Sequence, residues 1–385
     1  MNRTRVEIDN DAFDHATVLR VDRAGMSGLL LKIVQILTDL DLVIIKGYIS
    51  SDKNWFMDDR AEIVNHSFVD EFAKIELTGF DRPGLLSEVS AVLAEWRFNV
   101  VAADLWTHNR SVAAVIRMTD ESTGRGTVDA VRLGSVTELL GTLMRGSCKL
   151  ISCNSSSLAL ASNAAVHTEH RLHQLMFYER DYEKQSCKTD LEVLDCAEKN
   201  YTVVILRSSD RPKVFFDTLC ILTDMQYEVF HGMVERKENE AYQEYYIRRK
   251  DGFRIVLEDE RQHLIQGLQA AIQRRAFNGV ELELRTEDRI GLLSEITRVF
   301  REYGLSIQRA EISTQGGTAV DCFCVSGMAG EPVESTTIES IQSQIGKTAL
   351  MVKRSCLPLS TDVKQDNEAS YNSLLLGFFK NWMQS

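Results

Sequence analysis

The sequence predicts an α+β protein in which one small module with an antiparallel sheet occurs four times. In each copy a strand leads through a short turn into an apolar helix and a second strand. The turn position and the start of the second strand are fifteen residues apart in every copy, and a small side chain follows four residues later. The aligned positions are Gly28, Val43 and Gly47; Gly84, Asn99 and Ala103; Lys213, Glu228 and Gly232; and Gly291, Ser306 and Ala310.

The first strand of each copy alternates between apolar and polar residues or runs apolar, which is typical of a strand in a packed sheet. These strands are expected at residues 17–21, 74–78, 202–206 and 281–284. The helix that follows has apolar residues three and four positions apart, as at Leu86, Val89 and Leu93. This spacing predicts a helix that packs one face on a sheet.

The second half of each module begins with a break, clearest at residues 107–110 and 314–317, and a third strand that indicates a hairpin. A second helix is expected over residues 258–275 and 336–345, and a short strand from Leu350 would close the last unit. The order strand, helix, strand, strand, helix, strand is the ferredoxin-like arrangement. We therefore predict tandem ferredoxin-like βαββαβ domains with antiparallel sheets.

The chain divides into six predicted segments. They are a truncated domain (1–72), a full domain (73–146), a linker with a helix (147–200), a domain with a degenerate turn (201–277), a full domain (278–354) and a tail (355–385). In the first copy a third strand starts at residues 55–57, which leaves too little chain for a second helix before the next copy. It is either a half-domain with an irregular patch or the mark of a shortened form of a longer chain.

Composition excludes several classes of protein. The net charge of −12 would repel phosphate backbones, so we expect no nucleic-acid partner. Eight cysteines without a CxxC pair indicate a reducing compartment. No window approaches the roughly 20 apolar residues of a membrane span. We expect a cytoplasmic protein, with nuclear residence left open and membrane contact at most peripheral, through the apolar cluster at residues 373–383.

The turn DRPGLL of the second copy places a glycine where a strand meets a helix start. The first N–H groups of a helix have no intrahelical partner and attract a carboxylate or phosphate. Gly84 would allow a ligand to approach closely, and Asp81 would receive an ammonium group, so a free amino acid would satisfy both ends. The residues alone favour a simpler interpretation, with Asp81 as a helix cap and Gly84 as a packing glycine, because helix caps are far commoner than ligand sites.

Several longer phrases carry a resemblance that is more specific than the turn. They are HTEHRLHQLMF in the linker, AYQEYYIRR from Ala241 and TEDRIGLLSEITRVFRE from Thr286. Together with DRPGLL and the strand that opens at Asn99, they closely resemble the plant ACT-domain-repeat proteins. The resemblance runs from about Val6 to Arg354, nearly the whole chain.

This resemblance implies modules that pair side by side, within or between chains, and that bind free amino acids at the interface. The ligand would lie between the first turn of one module and the second strand of its neighbour. For the second copy the implied residues are Asp81, Gly84 and Leu85, facing Asn99 or Val100 of a paired copy. For the fourth copy the matching set is Asp288, Gly291, Leu292, Ser306 and Ile307.

Two copies depart from the pattern. The third has Lys213 in place of the turn glycine, so a side chain occupies the approach to the helix start, and we expect a structural copy. The first has Asp22 and Gly28 six residues apart instead of three, which makes ligand binding there doubtful.

Other groups of residues give weaker indications of a functional site. Two of His167, His170 and His173 could hold a metal together with Glu169, but a solvated linker helix is the better interpretation and no metal site is predicted. Cys322 and Cys324 alternate on one strand and are expected to be small buried thiols. The chain has no GxSxG elbow, no phosphate-binding GxxxxGK loop and no HExxH helix, so neither catalytic residues nor a cofactor are predicted.

The leading hypothesis is an amino-acid-binding regulatory protein or sensor without catalytic activity. The alternative is a ligand-free interaction scaffold that regulates a metabolic enzyme or a receptor. An enzyme is the least favoured class. The bacterial uridylyltransferase that ends in a pair of ACT domains carries its catalytic domains upstream, and no such segment is present here.

Overall fold

The computed structural model describes residues 5–13, 16–22, 29–40, 42–50, 72–126, 130–146, 157–160, 167–184, 190–276, 279–346 and 349–355. Its strands are β1 (Arg5–Phe13), β2 (Ala16–Asp22), β3 (Lys46–Ser50), β4 (Ala73–Phe80), β5 (Phe98–His108), β6 (Ser111–Asp120), β7 (Ser157–Leu160), β8 (Asp190–Cys196), β9 (Tyr201–Ser209), β10 (Tyr227–Lys237), β11 (Glu240–Arg249), β12 (Val280–Glu287), β13 (Leu305–Gln315), β14 (Thr318–Gly327) and β15 (Leu350–Ser355). Its α-helices are α1 (Leu29–Asp39), α2 (Leu85–Glu95), α3 (Ala130–Gly146), α4 (Thr168–Tyr178), α5 (Val214–Asp224), α6 (Glu258–Gln273), α7 (Leu292–Glu302) and α8 (Ser335–Ile345).

The second and fourth copies share one eight-stranded antiparallel sheet. Its order is β15-β12-β14-β13-β5-β6-β4-β7, so the two modules join through β5 and β13. The helices α2 and α7 and the sheet residues beneath them belong to one continuous hydrophobic core. The predicted α+β fold of ferredoxin-like modules is confirmed, and the pairing between these two copies lies within the chain.

The third copy forms a five-stranded sheet in the order β3-β10-β11-β9-β8. The predicted βαββαβ order ends each unit with a closing strand, and for this copy that prediction is wrong. The closing position is taken by β8, which precedes β9 in the chain, because α6 leads directly into the first strand of the fourth copy. Both β8 and β7 lie in the segment that was assigned to the linker.

Within the described residues, the first copy joins the sheet of the third copy through one strand. Its strand β3 pairs with β10 in the same way that β5 pairs with β13, while β2 pairs only with β1 in a separate two-stranded sheet. In the complete copies the first strand is held to the second through the third, as β4 is held to β5 through β6. The expected third strand at residues 55–57 lies outside the described residues.

The column of small residues lies along the seams between paired modules. Ala310 is opposite Leu105 and Ala103 is opposite Ile312 where β13 meets β5. A methyl group added at Gly232, on the other seam, would lie 3.1 Å from Cδ1 of Ile49 and 2.9 Å from the carbonyl oxygen of Glu244. The position is therefore small because both the adjacent strand β11 of its own module and the large apolar residue of the partner strand lie against it.

The linker helix α4 lies between the two module pairs. Its residues Leu172, Leu175 and Met176 are buried against Trp106 and its neighbours on the outer face of the eight-stranded sheet. These three side chains dock the linker helix on the second copy. None of the helices within the described residues is long and apolar enough to cross a membrane.

Candidate functional site

The first helix of each complete module begins after a residue in the left-handed backbone region. Gly84 and Gly291 each have φ of 81°, and Lys213 has φ of 67°. No side-chain oxygen caps α2, α5 or α7. Asp81 is therefore not the cap of α2, which removes the simpler interpretation of that residue and leaves the helix start without a side-chain acceptor.

Antiparallel pairing of β5 with β13 brings the turn of each module to the second strand of the other. The turn from Asp81 to Leu85 lines one small cavity together with Ser306 and Ile307, and we call this the Gly84 site. On the opposite side, Asn99 donates from Nδ2 to Oδ2 of Asp288 at 3.3 Å, and we call this the Gly291 site. The predicted residues of the second copy thus face those of the fourth copy.

The apolar members of the predicted set serve the shared core. Leu85 and Leu292, the first residues of α2 and α7, are 4% and 5% exposed. Val100 and Ile307 are half-buried and pack against the same core. The polar contacts at the two sites come from the turn and from the neighbouring strand.

The Gly84 site is filled by Arg301, near the end of α7. A methyl group added at Gly84 would overlap Cδ of Arg301 and lie 3.4 Å from its Nη1. Glu88 holds two arginines there, with its Oε1 2.8 Å from Nη1 of Arg82 and 3.8 Å from Nη1 of Arg301. The remaining cavity measures about 20 Å³, enough for about one water molecule.

At the Gly291 site the residue that lies over the turn is Ala94, which is smaller than Arg301 at the Gly84 site. The nearest atom to a methyl group added at Gly291 would be Cβ of Ala94, at 4.0 Å, which is ordinary contact. Besides the amide of Asn99, the Oδ2 atom of Asp288 accepts a hydrogen bond of 2.8 Å from Oγ1 of Thr314. A carboxylate is thus held in a fixed position beside the start of α7, which no side chain caps.

Two carboxyl groups near these sites have raised pKa values. Burial raises the pKa of Asp81 to about 6, although a backbone hydrogen bond and the Arg82 charge oppose the shift. Burial, with the Asp288 charge as a smaller contribution, raises the pKa of Asp321 to about 7. Sequence reasoning missed Asp321 and Arg301. Two features of the sequence could have indicated them. Asp321 is an acidic residue inside an otherwise apolar strand, and Arg301 is at the repeat position where the second copy has Ala94.

The third copy has its turn occupied from within the protein. The Nζ atom of Lys213 donates to Oε1 of Glu169 on the linker helix at 2.8 Å. Glu169 also lies 2.7 Å from Nη2 of Arg275, and it is buried. The turn of the first copy around Gly28 lies outside the described residues, so only the lysine turn is seen in the second module pair.

The histidines of α4 do not form the solvated helix that we expected, and that prediction is wrong. His173 is fully buried, and each of the three histidines contacts an aspartate. The pairs are His167 with Asp39, His170 with Asp224 and His173 with Asp217, at 2.8 to 2.9 Å. Among the residues that the structure describes, no group of three or more His, Cys, Asp or Glu could hold a metal ion.

The two cysteines of β14 are half-buried, not fully buried as expected. Nζ of Lys353 lies 3.8 Å from Sγ of Cys322. Burial raises the pKa of Cys324 to about 12, so this thiol is protonated at neutral pH and is not a reactive nucleophile.

Comparison with known proteins identifies the modules. The family model for the ACR family N-terminal ACT domain matches residues 12–63, and the ACT domain model matches residues 280–334. The ACT domain-containing protein ACR6 of Arabidopsis thaliana is 47% identical, over 99% of this chain and 97% of its own length. The chain belongs to the ACT domain-containing ACR proteins. ACR4 of the same plant is 43% identical, over 99% of this chain and 93% of its own length.

The comparisons also show how far the likeness extends. The alignment with ACR6 runs over 426 positions, more than the 385 residues present, so some positions of that relative have no residue in this ACR chain. A bifunctional uridylyltransferase/uridylyl-removing enzyme of Ectopseudomonas mendocina is 46% identical over 52 residues, which is 14% of this chain and 6% of the enzyme. ACT domains are regulatory domains that bind amino acids and pair with one another, and the ACR relatives are not named as enzymes.

Proposed function

We propose that this ACR protein is an amino-acid-binding regulatory protein without catalytic activity, located in the cytoplasm or nucleus, and that a free amino acid binds at the Gly291 site. The observation that carries the proposal is the contact between Asn99 of one module and Asp288 of its neighbour. That contact joins the turn and the second strand of two paired modules beside an open helix start. Polar groups for both ends of a zwitterion are then in one place.

The chemistry of the site fits a small zwitterion. The first N–H groups of α7 and the positive end of its dipole favour a carboxylate, and Gly291 lets that carboxylate approach the backbone. Oδ2 of Asp288 is already hydrogen-bonded by Asn99 and Thr314, so its other oxygen is the candidate acceptor for the ammonium group. Because one ligand would touch both modules, binding would favour the paired arrangement by its difference in affinity for the two states.

Isothermal titration calorimetry of the full chain with each of the twenty amino acids tests this proposal. We expect saturable heat with at least one of them. Asp288→Asn should weaken that binding about 10- to 100-fold, because a charge-assisted hydrogen bond contributes about 1.5–3 kcal/mol. Gly291→Lys should abolish it while preserving the fold, since Lys213 adopts the same backbone conformation in the third copy.

The control is Gly134→Ala in α3, where an added methyl group meets nothing within 4 Å. This variant should bind as the unaltered chain does. Absence of heat with all twenty amino acids would contradict the proposal, and so would binding that survives Gly291→Lys.

A ligand-free scaffold for a metabolic enzyme or receptor is a second candidate function, favoured by the contact of Lys213 with Glu169. A turn that is occupied by a protein carboxylate serves the assembly of the molecule and not ligand capture. Affinity capture of partners, with residues 373–385 deleted and with free amino acids present or absent, separates the two functions. Partner capture that is unchanged by added amino acids supports the scaffold function.

A further inference from the structure

The two sites between the second and fourth copies are equivalent by repeat but differ at one covering residue. Arg301 and Ala94 each lie ten residues beyond the turn glycine of their own module. Each is found against the turn of the other module, Arg301 at Gly84 and Ala94 at Gly291. The end of one helix therefore covers the start of the other, and the residue at that end decides how much space is left.

At the Gly84 site the covering residue leaves no room for a ligand. The aliphatic part of Arg301 packs directly on the glycine, with its Cγ 3.3 Å from the position of an added methyl group. Its guanidinium group is drawn towards Glu88, which also binds Arg82. The cavity of about 20 Å³ is too small for any amino acid, because it accommodates about one water molecule.

At the Gly291 site the covering residue is a methyl group in ordinary contact, and no long side chain reaches over the turn from that position. The polar side chain on the neighbouring second strand also differs between the two sites. Asn99 reaches across to Asp288, whereas the equivalent residue of the fourth copy is Ser306, whose shorter side chain lines the Gly84 site. The repeat thus keeps the backbone of both sites and changes the side chains that determine access.

We propose that the paired modules bind one amino acid per chain, at the Gly291 site, and that Arg301 permanently occupies the equivalent Gly84 site. The proposal rests on the function proposed above and adds its stoichiometry and the residue that sets it. Arg301 acts there as a built-in occupant that holds the start of α2 against the neighbouring module without a free ligand.

Calorimetric stoichiometry of the full chain, measured with each of the twenty amino acids in turn, tests the proposal. The expected value is one per chain for the unaltered protein and two for Arg301→Ala. Ala94→Arg should reduce it to zero. The double variant, Ala94→Arg with Arg301→Ala, should restore one, and this rescue shows that the single variants are folded.

The location of the site is read from lysine substitutions at the two glycines. In the unaltered background Gly291→Lys should abolish binding, whereas Gly84→Lys in the double variant should abolish binding to the restored site. The matched control is Arg298→Ala, which removes an exposed arginine from the same helix, paired only loosely with Glu302 at 3.8 Å. This control should keep a stoichiometry of one.

The outcomes separate the two proposals. Two ligands per unaltered chain, or one ligand whose binding survives Gly291→Lys, overturns this inference. A value that stays at one in Arg301→Ala also overturns it, while amino-acid binding as such still stands. Absence of heat with every amino acid in both the unaltered chain and Arg301→Ala overturns the proposed function itself.

Discussion

At the scale of single residues, burial acts on the carboxyl group of Asp321. The side chain is 2% exposed and accepts a hydrogen bond of 3.3 Å from the backbone N–H of Ser313. Burial raises its pKa from 3.8 to about 7, and the charge of Asp288 adds to the shift. The folded protein therefore binds a proton here between pH 4 and pH 7 that the unfolded chain releases. This group lowers stability as the pH rises through that window, and its full cost is present above pH 7.

We therefore expect Asp321→Asn to increase the free energy of unfolding at pH 8 by a few kcal/mol, since each pKa unit corresponds to about 1.4 kcal/mol. The gain should shrink towards pH 4, where the native carboxyl group is already neutral. Urea unfolding at pH 5 and pH 8 measures the difference. The exposed Glu339→Gln should show no comparable change, and an equal gain at both pH values would contradict the argument.

The buried histidine of the linker helix shows why single residues were hard to interpret from sequence. Burial lowers the pKa of His173 to about 4, although its hydrogen bond to Asp217 opposes the shift. Arg274 lies 2.9 Å from Nδ1 and Asp217 lies 2.8 Å from Nε2, which fits a neutral ring that accepts at Nδ1 and donates at Nε2. Spacing along the helix could not reveal this, because both partners come from the third copy.

At the scale of elements, α4 joins the outer face of one sheet to the helices of the other module pair. Leu172 is fully buried in the cluster around Trp106. From the same helix, Glu169 and His173 contact Lys213 and Asp217 at the start of the first helix of the third copy. The helix α4 therefore makes contacts with both module pairs.

Leu172→Ala should lower the free energy of unfolding by about 2–5 kcal/mol, because it removes a buried side chain and leaves a cavity between the module pairs. Tyr178→Ala on the same helix is the control, since Tyr178 is 64% exposed. Chemical denaturation compares the two. An effect of Leu172→Ala no larger than that of the control would show that the helix is not held against the sheet.

At the scale of the whole molecule, two seams between second strands organise the four copies into two pairs. Gly232 lies on the seam with the first copy, where an added methyl group would approach the carbonyl oxygen of Glu244 to 2.9 Å. That oxygen belongs to the backbone of the adjacent strand and cannot rotate away. The small side chain is thus required by the pairing of β10 with β11 inside the third copy, and also by Ile49 of the first copy, whose Cδ1 would lie 3.1 Å from the added methyl group.

Gly232→Ala should lower the midpoint temperature of thermal unfolding, while Gly134→Ala should raise it slightly. Gly134 lies in an exposed position of α3 with nothing within 4 Å, where alanine is favoured over glycine by about 0.5–1 kcal/mol. Circular dichroism during heating compares these two substitutions of the same kind. Shifts of the same sign would contradict the close approach at Gly232.

The module, its ferredoxin-like fold and the positions of the polar turns followed from the sequence by itself. Hydrophobic periodicity, a fixed fifteen-residue spacing and a glycine before the first helix in three of the four copies are local features. Only the tertiary structure decided which turn meets which strand, that β8 closes the third sheet, and that Arg301 covers one site while Ala94 leaves the other open. The physical reason is that these contacts join distant parts of the chain, as Asn99 and Asp288 do across 189 positions, and no local pattern encodes them.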